Sequence, residues 1–164
     1  MGEITESLWC ESLPDQIVEV IGDEAIAYME RALGVVQRDV DATCPQLGKL
    51  RLKWVTADGE YPDPEKIEDL FVMVYVALQG GSYYTGGSDV YAGGIDMKGE
   101  VLERLEEAVY SVAECVQEFM VSVELREWPT CPLHNRMLGP GSMKWRCEAD
   151  GGHVVATIGS LAEV

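Results

Sequence analysis

The chain has 164 residues, 47% of them hydrophobic and 25% charged, a balance close to that of globular domains and one that excludes wholesale disorder. Its 12 basic and 29 acidic residues give a formal charge of −17; such a surface repels nucleic-acid phosphates and anionic membranes and attracts basic proteins over long range. The longest apolar run, "LFVMVYVALQGG", is too short to cross a bilayer, and the acidic opening "MGEITESLWCESLPDQ" lacks the basic and apolar regions of a signal peptide, so the expectation is a cytoplasmic protein with no membrane partner.

Residues 12–41 read as helix. Ser12 can cap it, Pro14 fits its first turn, and Ile17, Val20, Ile21, Ala25, Met29, Ala32 and Val36 follow at helical spacing. Gly22 and Asp23 divide that helix in two if Asp23 caps a second segment. "KLRLKWVT" then alternates Leu50, Leu52 and Trp54 with Arg51 and Lys53, the signature of a strand. Its basic side, with Lys49, suits an edge-strand guard or pairs with neighbouring carboxylates.

In "YPDPEKIEDLFVMVYVALQGG", Asp63 can cap, Pro64 fits a first helical position and Gly80-Gly81 can stop a helix. Leu70 to Leu78 is apolar all round, which admits a central buried helix or a buried strand; the helix is the expectation. Gly80 to Glu100 holds seven glycines and three tyrosines. That composition suits a contact loop built on Tyr83, Tyr84 and Tyr91, or a β-hairpin whose tyrosines pack inward. From Glu100 to about Leu125 a clear amphipathic helix follows, with Leu105, Val112, Cys115 and Phe119 on its apolar stripe and an acidic face elsewhere.

The helical pattern ends at Trp128-Pro129, and the composition changes there. The expected division is an acidic α+β, mainly helical body over residues 1–127 and a β-rich appendage over 128–164. This appendage contains both histidines of the chain and two of its five cysteines, spaced Cys131-x2-His134, twelve residues, Cys147-x5-His153. Two intervening residues let the first pair point into one knuckle, and the long gap lets the chain go out and return with the second. Gly139-Pro140-Gly141 reads as the turn, "SMKWRC" as a returning strand and "ADGGH" as a second turn into the strand "HVVATIG".

Two thiolates and two imidazoles suit zinc in softness and tetrahedral geometry, and four protein ligands make a closed, structural site. Asp150 is an alternative ligand. Disulfides explain the cysteines poorly, because five is an odd number in a chain large enough to fold without staples. The segments "TCPLHNRM" and "MKWRCEADGGHVVATIG" resemble the small zinc-ribbon endings of uncharacterised proteins from actinobacteria and their phages. That resemblance covers about the last 35 residues and implies a metal-ribbon architecture without implying an activity.

The reading of the whole is a non-catalytic interaction or assembly protein with a structural zinc: a phage particle component, an immunity-type inhibitor of a basic toxin, or an adaptor. Its expected partner has a basic surface, self-association is open, and a phage-encoded chain would be virion-associated. A zinc-dependent hydrolase with Asp150 or Glu148 as base is the alternative, although no HExxH, P-loop or GxSxG motif is present. Nucleic-acid binding through Arg136, Lys144 and Arg146 runs against the overall charge.

Overall fold

A computed structural model describes residues 22–56, 72–78, 92–96 and 105–163. Their class is α+β: two helices, two three-stranded antiparallel sheets and short 3-10 turns. Among the described residues no helix is long and apolar enough to cross a membrane.

Helix α1 spans Asp23–Thr43, with Gly22 at its N-cap position and Asp23 and Glu24 in a first turn whose positive dipole end favours them. Ala25, Met29, Ala32, Val36 and Val40 recur every three or four residues and are fully buried. Pro45, which cannot continue a helix, follows two residues after Thr43. Helix α2 spans Leu105–Ser122 and turns Val109, Val112, Val116, Phe119 and Met120 into the same core. The segment expected to be helical before residue 22 lies outside the described residues.

Strands β1 (Leu50–Thr56), β2 (Val72–Leu78) and β3 (Ala92–Asp96) form the first sheet in that order. Of the segment Leu70 to Leu78 expected to be a helix, the described residues Val72–Leu78 are therefore a strand. β2 is central, pairing β1 from Leu50↔Leu78 to Thr56↔Val72 and β3 from Met73↔Asp96. Its consecutive residues Val76 and Ala77 are both buried, although neighbours in a strand face opposite sides. A strand covered on both faces carries the unbroken apolar run that periodicity alone cannot tell from a buried helix.

Gln37 of α1 ties the helix to β1, accepting from Leu50 N at 2.7 Å and donating to Gly48 O at 3.1 Å. Lys49, just before the edge strand β1, pairs with Asp41 of α1, one of the two roles expected for that basic face. Tyr83, Tyr84 and Tyr91 lie outside the described residues, as do Cys10 and the acidic stretch Asp58 to Glu65.

The second sheet is the ribbon: β4 (Gly139–Gly141), β5 (Lys144–Cys147) and β6 (His153–Thr157), ordered β4-β5-β6. Gly139-Pro140-Gly141 is a strand here and not the turn it reads as. Proline is tolerated on an edge strand, where its missing N–H faces away from the ladder. The two-residue turn falls instead on Ser142 and Met143, whose φ values of 47° and 61° are those of a twisted hairpin loop.

Trp128, Leu138, Trp145 and Ile158 of the ribbon belong to the same apolar cluster as Val36, Val40, Phe119 and Met120 of the helices. The ribbon thus sits against the C-terminal halves of α1 and α2.

Candidate metal centre

The first ligand pair sits in a knuckle. Cys131 N donates to Arg136 O and Asn135 N donates to Cys131 O, both at 2.8 Å, and a bridge between Thr130 and Met137 closes the base. Asn135 takes the left-handed conformation the knuckle needs (φ 51°), one that asparagine tolerates better than most residues. Cys147 ends β5 and His153 begins β6, and the two are directly paired across the ladder. The five residues between them loop out in a turn with Asp150, Gly151 and Gly152 at positive φ.

These two supports bring the sulfurs of Cys131 and Cys147 and ring nitrogens of His134 and His153 together, every ligand atom within 4.8 Å of every other. Cys131 Sγ is 3.5 Å from His134 Nδ1 and 3.6 Å from His153 Nε2, and Cys147 Sγ is 3.4 Å from His134 Nδ1. A tetrahedron with metal–sulfur bonds of about 2.3 Å and metal–nitrogen bonds of about 2.0–2.1 Å has sulfur–nitrogen edges of about 3.6 Å. The three sulfur–nitrogen distances of 3.4–3.6 Å match that edge, and the four side chains could hold a metal ion.

Asp150 orients His134 within the cluster. Its Oδ2 lies 3.0 Å from His134 Nε2; with Nε2–H donating there, the Nδ1 lone pair is left facing the two sulfurs. A carboxylate behind a ligating imidazole fixes its tautomer and raises its basicity. The carboxylate read as a substitute ligand or as a general base is thus engaged behind the ligand His134.

Charge supports the same arrangement. Burial pushes the Cys131 thiol up, but the backbone N–H groups of His134 and Leu133, the His134 ring and Cys147 outweigh it and bring the thiol down to about 6. The Cys131 thiolate, followed by the Asp150 carboxylate, raises the His134 pKa against the opposing effect of burial. Cys115 behaves oppositely: burial first, then Glu118 and Glu114, push its thiol up to about 12, as befits a small apolar core residue.

Cys131 and Cys147 are buried, whereas both histidines are half-buried and Asp150 stands in solvent, so the centre is reachable from outside. His134 and His153 are the chain's only histidines, and both belong to the cluster. Arg136, Lys144 and Arg146 are exposed, but Glu148, Asp150 and Glu163 balance them within the ribbon.

Two residues that sequence reasoning gave no role hold the ribbon in place. Asp39 of α1, fully buried, accepts from Trp145 Nε1 at 2.7 Å, Gly159 N at 2.6 Å and Leu161 N at 2.8 Å. Gln117 of α2 donates to Trp128 O at 3.2 Å and to Leu138 O. The available signal was position: Asp39 follows Met29, Ala32 and Val36 at the spacing of the apolar stripe, where an acid is out of place unless buried groups bind it. Neither a protein-family model, nor a curated protein, nor a solved structure matches this chain.

Proposed function

We propose that Cys131, His134, Cys147 and His153 bind one zinc ion as a structural centre, and that the chain is a non-catalytic interaction or assembly protein. The observation that carries the reading is the convergence of four donor atoms within 4.8 Å of one another, three sulfur–nitrogen pairs at the edge length of a zinc tetrahedron, with Asp150 behind His134. Two thiolates and two imidazoles favour zinc over hard cations, which prefer oxygen. Four protein ligands fill a tetrahedral shell, whereas catalytic zinc keeps a position open for water.

A basic protein partner follows from the charge of −17 and from α2, which contains no basic residue and exposes Glu106, Glu107, Glu114 and Glu118. A particle component, an inhibitor of a basic toxin and an adaptor all fit this description.

Elemental mass spectrometry of the purified protein tests the metal reading. One zinc per chain, lost in Cys131→Ser/Cys147→Ser, is expected; no metal in the wild type overturns it. For the partner, affinity should fall steeply with salt and drop at least tenfold in Glu107→Lys/Glu114→Lys/Glu118→Lys. A partner indifferent to both overturns the charge argument.

A further inference from the structure

The Asp39 carboxylate is an unusual place to invest a hydrogen-bonding network. It is fully buried and lies one turn before the end of α1, where the helix dipole disfavours an anion, and the last turn of α1 has no basic residue to offset it. All three of its donors come from the ribbon and the turn that follows it: the Trp145 indole and the Gly159 and Leu161 backbone. A buried carboxylate left short of donors is costly, so this contact cannot loosen by degrees. Either the donors are in place or the carboxylate is hydrated.

The donors sit on, or just beyond, the strands that carry the candidate ligands. On β5, Trp145 and Cys147 are both buried on the inward side, with Lys144 and Arg146 exposed on the other. On β6, His153 pairs with Cys147, and the strand leads through Thr157 into the turn that holds Ile158 and Gly159. At the other entrance, Trp128 donates through Nε1 to Thr43 Oγ1 at 2.8 Å and presents its carbonyl to Gln117, three residues before Cys131. The ribbon's own buried side chains are few, and segments of this size rarely hold their shape without a metal or other staple.

We propose that metal occupancy latches the ribbon to the ends of both helices: the loaded cluster fixes the donors to Asp39 and the acceptors of Gln117, and unloading releases this docking while the rest of the helix pair stays packed. The inference rests on the metal reading above. Pairing of the N-terminal half of α1 with α2 does not depend on the ribbon clamp, because Ala25, Met29 and Ala32 lie well before Asp39, and Ala108 to Val112 lie before Gln117. By linkage, a change at Asp39, which touches no metal ligand, should weaken metal binding, up to the factor by which the metal strengthens docking.

The test is hydrogen exchange on the full chain, zinc-loaded and after chelation, read by peptide. Exchange should accelerate at least tenfold in residues 36–43, 117–122 and 128–163, and remain unchanged in 25–32 and 108–112. Acceleration confined to the ribbon, or spread over the whole chain, overturns the latch. A second measurement, zinc affinity by competition with a chromophoric chelator, should show Asp39→Asn at least tenfold weaker than wild type. Wild-type affinity in that variant also overturns it. If the wild type binds zinc and only these results fail, the latch falls and the metal centre stands; if the wild type binds no zinc, both fall.

Discussion

Trp145→Phe isolates the Asp39 contact from the packing around it. The two buried tryptophans stand edge to face, ring centroids 5.5 Å apart and planes at 78°, and each donates one indole hydrogen bond to α1. Trp145 donates to the buried Asp39 carboxylate at 2.7 Å; Trp128 donates to the Thr43 hydroxyl at 2.8 Å. Replacing either with phenylalanine keeps an aromatic ring and removes a similar volume, since the two are 0% and 2% exposed. The variants differ chiefly in the lost bond, worth about 1.5–3 kcal/mol to a charged acceptor and about 0.5–1.5 kcal/mol to a neutral one. Trp145→Phe should therefore be less stable than Trp128→Phe by about 1–1.5 kcal/mol. With a urea m-value of about 2 kcal/mol/M, that lowers the midpoint by roughly half a molar. Urea titrations at a fixed excess of free zinc, followed by far-ultraviolet circular dichroism, would measure it. Equal midpoints, or a larger loss in Trp128→Phe, would refute the reasoning that the bond to the Asp39 carboxylate outweighs the bond to the Thr43 hydroxyl.

The other predictions concern the centre and its support. Asp150→Asn, which keeps a residue tolerant of the left-handed backbone at φ 52°, should weaken zinc binding roughly tenfold while leaving the melting of the metal-free protein unchanged; unaltered affinity would remove Asp150 from the site. Cys115, whose buried thiol is pushed up to about 12, should stay unlabelled by an alkylating reagent at neutral pH in the zinc-loaded protein; rapid labelling there would contradict its place in the core. His134, raised by the Cys131 thiolate first and then by Asp150, takes up its proton above the ordinary 6.5. That proton competes with metal for the imidazole, so zinc affinity should fall on acidification from above pH 6.5, and a flat profile between pH 7 and 5 would contradict the imidazole's role. Gly159→Ala places a methyl 3.0 Å from Val35 Cγ1 and 3.1 Å from Val35 O at φ +93°, whereas Gly151→Ala at φ +88° meets nothing within 4 Å. Thermal melts should show the first losing about 1–3 kcal/mol and the second about 1 kcal/mol; equal losses would mean the ribbon does not pack tightly on α1.

The two helices and β1 are legible because their patterns have one period and one buried face. Leu70 to Leu78 is not, because β2 is central and both Val76 and Ala77 are buried, which erases alternation. The ribbon turn is misplaced for a related reason: Gly139-Pro140-Gly141 carries the strongest turn composition but lies on an edge strand, while Ser142 and Met143 bear the positive φ angles without glycine. The four candidate ligands are legible from spacing alone, since a knuckle and a returning hairpin are local. The roles of Asp39 and Gln117 are not, because their partners lie 106 and 21 residues away along the chain and only the packed fold brings them together.

X-ray absorption at the zinc edge of the loaded protein would resolve whether the ion sits among two sulfurs and two nitrogens. About two sulfur neighbours at about 2.3 Å and two nitrogens at about 2.0–2.1 Å, with imidazole outer-shell scattering, are expected. A shell of oxygens, or of sulfurs without imidazole, would contradict the two-sulfur, two-nitrogen centre.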